Sequence, residues 1–200
     1  MPPTRSKGHG LLNEALQAGK SVLIRYPAMT DRDEFVQLRQ KSRRFHRTWE
    51  PTPPRGFDPY GSEAFTRFQM TANLDSVKRF LLCRTEDDAI VGVITLSEII
   101  RGCFQNAYMG YWIGSPFARR GYMTEGIALV LRHAFRDMKL HRVEANIQPT
   151  NEASIALVRR AGFTKEGYSR RYLKIAGRWR DHERWAILKE DWGGGRLPNV

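Results

Sequence analysis

The chain has 200 residues, 41% of them hydrophobic and 27% charged. That suits one folded domain with a single core and excludes a disordered chain. Lys and Arg number 33 against 21 Asp and Glu, a formal net charge of +12, so the fitting partners are polyanions: nucleic acid, an anionic membrane surface, polyanionic small molecules or a ribosomal environment.

Residues 1–20 read as an N-terminal extension. They are polar, with a short apolar pattern at Leu11, Leu12, Ala15 and Leu16 that predicts either a loose helix or disorder. No apolar stretch separates the basic residues from a cleavage site, so no secretory signal is expected. No apolar run in the chain approaches the roughly 20 residues of a membrane helix. A cytoplasmic protein with no membrane partner is the expectation. One domain then spans residues 21–192, and residues 193–200 form a flexible tail.

Val22–Tyr26 predicts a strand, and Thr30 with Asp33 predicts a helix cap. The helix that follows runs to about Phe45 and carries Phe35, Leu38 and Ser42 on one stripe. Pro51, Pro53, Pro54, Gly56 and Pro59 make residues 46–60 a loop. Ser62 then caps a helix bearing Phe65 and Phe68. Val77–Arg84, Ile90–Ile100 and Ala107–Ile113 are strands with short turns, an antiparallel meander. Helical spacing follows over Thr124–Asp137, a strand over Val143–Ile147 and a helix over Asn151–Ala161. Thr164–Lys174 and Arg178–Leu188 form a hairpin turning at Ala176-Gly177. A meander followed by β-α-β-α-β-β predicts an α/β fold with a mixed sheet of about seven strands flanked by helices.

Two cysteines, Cys83 and Cys103, form no CxxC and read as packed, reduced thiols. The five histidines are scattered, without metal-ligand spacing, so no metal site is expected.

The segment Phe117–Gly126 follows a strand and opens a helix. Arg119-Arg120-Gly121 lies at the junction. Gly121 permits backbone that a Cβ would hinder, and the free N–H groups of the first helical turn favour an anion. The arginines add forked donors. Glu125 fits only if it faces away. No Gly-Lys-Ser/Thr follows, so this is not a P-loop. Past the next strand come Asn151-x-x-Ser154 and Ala161-Gly162-Phe163. Asn151 reads as an N-cap and Gly162 as a helix stop.

In the order and spacing of these three segments, the chain resembles the GCN5-related N-acetyltransferases, and within them the ribosomal-protein-alanine acetyltransferases of the RimJ type. Further matching segments are Arg39-Gln-Lys-Ser-Arg43 with Trp49-Glu50-Pro51, His141-Arg142-Val143-Glu144-Ala145, Glu166-Gly167-Tyr168 and Trp179-Arg180-Asp181-His182. The resemblance implies a twisted sheet with two strands splayed apart and acetyl-CoA as co-substrate. It implies that the backbone of Trp112 and Ile113 holds the pantetheine. The backbone of Arg119, Arg120, Gly121, Tyr122, Met123 and Thr124 would cradle the pyrophosphate. Asn151 and Ser154 would line the thioester end or the pantetheine. Ala118 and Met123 depart from the family loop. Val158 stands where many members carry a tyrosine acid, which leaves Ser154 to steady the departing thiolate, as in the RimL type.

The reaction implied is direct attack of a neutral amine on the thioester, most simply the N-terminal α-amine of a protein, a ribosomal protein being the leading acceptor. Candidate bases are Glu50, Glu98, Glu144 and His182. Glu50 and Glu144 stand beside Ser154 as the catalytic set. Glu144 alternates with Val143 and Ala145 and so lies on the opposite sheet face, where it also fits an ion pair. The acceptor side, roughly Arg39–Phe68 and the last hairpin, is basic, which argues against a polycationic amine. Two other readings stay open: a small-amine acetyltransferase, and an inactive ribosome- or RNA-associated module using Arg170, Arg171, Lys174, Tyr168, Tyr172 and Trp179. Monomer and dimer are equally compatible with the sequence.

Overall fold

The computed structural model describes residues 15–194. Its centre is built by β4 (Val77–Arg84) and β5 (Ile90–Ile100), both rich in β-branched and large apolar residues. Helices cover both faces here, so the burial of these strands is nearly continuous rather than alternating. Around them lie β1 (Gln17–Ala18), β2 (Val22–Arg25), β3 (Asn73–Leu74), β6 (Asn106–Ile113), β7 (Arg142–Ile147), β8 (Thr164–Ile175) and β9 (Arg178–Leu188). The sheet runs β1-β2-β4-β5-β6-β7-β9-β8, with β3 paired to β4. The count is nine rather than seven because β1 and β3 are two-residue strands, too short to show an alternation.

Every pair is antiparallel except β6–β7, which is parallel. Parallel neighbours need a crossover, here α4 (Tyr122–Arg132) and the wider π-turn His133–Asp137. One face of the sheet carries α4 and α5 (Glu152–Arg160), over a core that includes Ile94, Leu96, Ile127, Leu131, Val143 and Trp185. The other carries α1 (Arg32–Lys41) and α3 (Ser62–Met70), with the one-turn α2 (Arg43–His46) between them in the chain, over Leu23, Phe35, Phe65, Leu81 and Val93. Helix α4 approaches closely at Gly126, where a Cβ would lie 2.7 Å from Leu82 Cδ1.

Helix starts differ from the sequence expectation by one residue. Asp31, not Thr30, is the N-cap of α1. Its side chain accepts the Ala28 N–H at 2.7 Å and pairs with both terminal nitrogens of Arg25, and a buried arginine needs that carboxylate more than Thr30 could supply. Gly61, not Ser62, is the N-cap of α3. The extension departs further. Leu16 N–H bonds Ile24 C=O, and β1 pairs with β2, so residues 16–24 are a hairpin and not a helix. Leu11 and Leu12, and tail residues 195–200, lie outside the described residues. The Ala176-Gly177 turn has positive φ at both positions, the twist that suits a tight hairpin.

Cys83 is buried, as expected, but Cys103 is exposed, because it sits in the β5–β6 turn rather than in a strand. Burial pushes the Cys83 thiol up to about 12, so it carries no thiolate at neutral pH.

Candidate functional site

The sheet is forked between β6 and β7. Their pairing stops after Asn106↔Arg142, Ala107↔Val143 and Tyr108↔Glu144. Beyond it, residues 109–113 of β6 have no strand on that side. Gly114 N–H bonds Val91 C=O at 2.7 Å, and bonded pairs alternate along an antiparallel ladder. Trp112 and Gly110 therefore turn their backbone toward β5, whereas Met109, Tyr111 and Ile113 turn theirs into the gap. The sequence expectation for Trp112 is corrected here: its backbone is held in the β5 ladder, and Tyr111 takes its place on the open edge. The Trp112 side chain contributes on the α1 face, beneath the Arg39 guanidinium at 5.0 Å and against Phe35.

One mouth of the gap leads to the start of α4. Gly121 is its N-cap, with φ +81°, and Arg119 is also left-handed at +62°. Glu125 N–H makes the first intrahelical bond, to Gly121 C=O. The N–H groups of Tyr122, Met123 and Thr124 thus lack carbonyls one turn back and face outward. Arg119 and Arg120 are exposed beside them, and among the described residues they form no ion pair. Glu125 does face away: its carboxylate accepts the Ser21 N–H at 2.9 Å and braces the β1–β2 turn. Met123 points into the core, against the space left by Gly92. That accounts for the departure at this loop position, since only its backbone meets the groove.

Across the gap, Asn151 Oδ1 caps α5 by accepting the Ser154 N–H at 3.2 Å. Its side chain is thereby committed to the helix. Ser154 Oγ meets the Tyr111 hydroxyl at 2.5 Å. The two residues are 43 positions apart, and no sequence spacing announces their contact.

The opposite sheet face holds the other candidates. Glu144 is buried, and its two oxygens are taken by Arg142 Nε at 2.9 Å and Arg184 at 3.2 Å. Glu50 is likewise occupied, by Arg39 at 2.6 Å and the Tyr60 hydroxyl at 2.7 Å. Burial alone would raise the Glu50 carboxyl, but the Arg39 guanidinium and Tyr60 bring it below its ordinary value. Glu98 lies near the end of β5 in left-handed backbone. His182 is buried beside Tyr172, and its Nδ1 donates to Arg180 C=O. Burial holds its pKa below the ordinary histidine value. Tyr168 bonds Asp181, and Trp179 is exposed.

A cavity of about 900 Å³ opens on this face, lined by Arg39, Arg43, Arg47, Glu50, Asp58 and Tyr60 among others. The hairpin tip closes it, where Ala176 N–H bonds Glu50 C=O. Behind Arg39 of its wall, His46 joins this region to the fork. Nε2 lies 2.8 Å from Ile113 C=O, and Nδ1 lies 3.0 Å from an Arg39 nitrogen. Arginine only donates and a carbonyl only accepts, so the ring is neutral with its hydrogen on Nε2.

Two histidines stand four residues before a carboxylate, contrary to the spacing read from the sequence: His133 with Asp137 at 2.8 Å, and His46 with Glu50 at 3.9 Å. Each is an isolated pair. Among the described residues no three metal-type side chains cluster.

Burial lowers the His46 pKa, against the opposing Ile113 bond. A histidine shifted down contributes stability that is complete above its unfolded value of 6.5 and is lost as pH falls below it. His182 adds a contribution of the same sign. The melting temperature should therefore fall between about pH 7 and about pH 5.5, and fall less steeply in His46→Gln. An equal slope in the variant would remove His46 from the cause.

The same fold occurs in solved N-acetyltransferases. RimJ of Mycobacterium smegmatis, in complex with CoA-disulfide, matches with a TM-score of 0.79 and 28% identity, over 86% of this chain and 84% of that one. Spermidine N-acetyltransferase of Vibrio cholerae, in complex with CoA and spermine, matches with a TM-score of 0.71 over 86% and 97%; at 20% identity that likeness is one of fold. In sequence, the ribosomal protein uS5-alanine N-acetyltransferase of Escherichia coli (strain K12) is 36% identical over 172 residues, covering 83% of this chain and 88% of the relative. The probable N-acetyltransferase YjcK of Bacillus subtilis (strain 168) is 36% identical over 177 residues, covering 86% and 97%. Residues 21–164 match the acetyltransferase (GNAT) domain family. The chain belongs to that family and is an N-acetyltransferase.

Proposed function

We propose that the protein transfers the acetyl group of acetyl-CoA to the N-terminal α-amine of a protein, a ribosomal protein being the favoured acceptor. The observation that carries this reading is the fork between β6 and β7, which connects the start of α4 on one face to an arginine-rich cavity on the other. Acetyl-CoA enters from the α4 side. Its pyrophosphate lies on the N–H groups of residues 119–124, reinforced by the α4 dipole and the charge of Arg119 and Arg120. Its pantetheine lies along the gap edge of Tyr111 and Ile113, and its sulfur reaches Ser154, with Asn151 holding that helix start in place.

The acceptor enters from the cavity side. Its amine, once neutral, attacks the thioester carbonyl, whose oxygen is polarised by a backbone N–H of the gap edge. Arg43 and Arg47, which ion-pair with no carboxylate among the described residues, repel a polycationic amine. They suit a chain segment bearing carboxylates or backbone carbonyls. The relation to a uS5-alanine acetyltransferase points to ribosomal acceptors and to work in the cytoplasm, in contact with the ribosome or with its free proteins.

Incubation with acetyl-CoA and a panel of N-terminal peptides and polyamines, read by mass shift, tests the proposal. Acetylation of the α-amine of peptides beginning with small residues is expected. Modification of polyamines with none of peptides overturns the acceptor assignment.

A further inference from the structure

We propose that Tyr111 is a positioning residue for the transfer reaction: its hydroxyl, 2.5 Å from Ser154 Oγ, orients the serine so that the serine hydrogen is presented to the sulfur of departing CoA. This rests on the acetyl-transfer reading above. Tyr111 sits on β6 with its backbone on the open edge of the fork, and Ser154 sits in the first turn of α5 across that gap. The pair is thus built from the two walls between which the thioester would lie.

The direction of the hydrogen bond follows from chemistry. A phenol is a better donor than an aliphatic alcohol, and this phenol is packed against the core. Burial pushes its pKa up to about 12, opposed by the bond to Ser154. It is therefore protonated at every working pH, and of the two acceptors in its reach, Ser154 Oγ at 2.5 Å and Ser154 C=O at 3.4 Å, the nearer takes its hydrogen. The Ser154 N–H is held by Asn151, and Oγ makes no bond to a helix carbonyl among those described. One hydrogen remains on the serine, and the bond from Tyr111 fixes the rotor that carries it. Tyr111 acts through the serine and not as the acid itself, because its hydroxyl is engaged by Ser154 Oγ.

In the step itself the amine lone pair forms the N–C bond, and the C–S pair leaves on sulfur. The amine releases its surplus proton to water. The thiolate is held by the Ser154 hydroxyl and takes a proton from solvent as CoA departs. Ser154 and Tyr111 end with the protons they began with.

The test is a double-mutant cycle on the single-turnover rate of acetyl transfer, using Tyr111→Phe, Ser154→Ala and the double variant. Tyr111→Phe keeps the ring and removes the oxygen. It should lower the rate about tenfold, as expected for one oriented hydrogen bond, while CoA affinity and melting temperature stay near wild type. In the Ser154→Ala background the same change should cost almost nothing, because there is no hydroxyl left to orient. Additive losses, or a wild-type rate in either single variant, overturn the proposal. Should the wild-type protein acetylate no amine at all, the transfer reading fails; an additive cycle with transfer intact fails Tyr111 alone.

Discussion

Gly121→Glu lowers the affinity for acetyl-CoA by about 100-fold or more, equivalent to roughly 3 kcal/mol, while the protein stays folded. Gly121 is exposed, with open space where a Cβ would stand, so the side chain itself fits. Two effects follow its introduction. The left-handed backbone at φ +81° costs any side chain about 1–2 kcal/mol, which lowers the melting temperature. The carboxylate then stands among the N–H groups that would hold the pyrophosphate, competes with it for them and repels its charge. Gly121→Ala separates the two, since it carries the same backbone cost without the charge. It should lose stability like the glutamate variant and keep most of its affinity. Calorimetric titration of both variants checks this. Equal affinity in Gly121→Glu and wild type would remove the α4 N-terminus from the cofactor site. Arg119, also left-handed at +62°, shows that the loop already tolerates one strained side chain, so the fold should survive the second.

The strands were legible where apolar, β-branched residues recur between turn residues. Val77–Arg84, Ile90–Ile100 and Arg178–Leu188 have the bounds their sequences predict. The cap of α5 was legible too, because Asn151 and Ser154 are three residues apart and the contact is local. What lay beyond reach is nonlocal. His46 touches Ile113 across 67 positions, the Ser115 N–H bonds Ser42 Oγ across 73, and Tyr111 meets Ser154 across 43. Ser42 stands on the predicted helix stripe, yet nothing in its neighbours says that it anchors the loop leading to α4. Trp112 shows the complementary failure. Its place beside the gap followed from the resemblance, but which of two adjacent residues turns its backbone to the gap depends on the ladder's register, and a shift of one residue reverses it. Glu144 was placed on the correct face by alternation. Its engagement by both Arg142 and Arg184 required the fold of β9 against β7.

For the proposed acceptor, that engagement predicts that no enzyme carboxylate takes the amine proton. The rate constant kcat/KM should follow the ionisation of the acceptor amine rather than of an enzyme carboxylate. It should fall roughly 40- to 80-fold from about pH 8.5 to about pH 6, as an α-amine of pKa about 7.7–8.0 becomes protonated. Each oxygen of Glu144 accepts from a guanidinium, and each oxygen of Glu50 accepts from Arg39 or Tyr60. Both oxygens of each carboxylate are thus engaged, and the Glu50 carboxyl lies below its ordinary value, which suits neither to take the proton of an amine. Glu50→Gln and Glu144→Gln should therefore keep the shape of the profile. Glu144→Gln should still cost stability, because Arg142, with a side chain 17% exposed, loses part of its pairing. Replacing the acceptor by a peptide whose α-amine has a lower pKa should move the inflection down with it. An inflection that stays in place when the acceptor changes would show an enzyme base. Its disappearance in His182→Gln would then name that base, since His182 is neutral, lies on the acceptor face, and keeps Nε2 unbonded to any described residue.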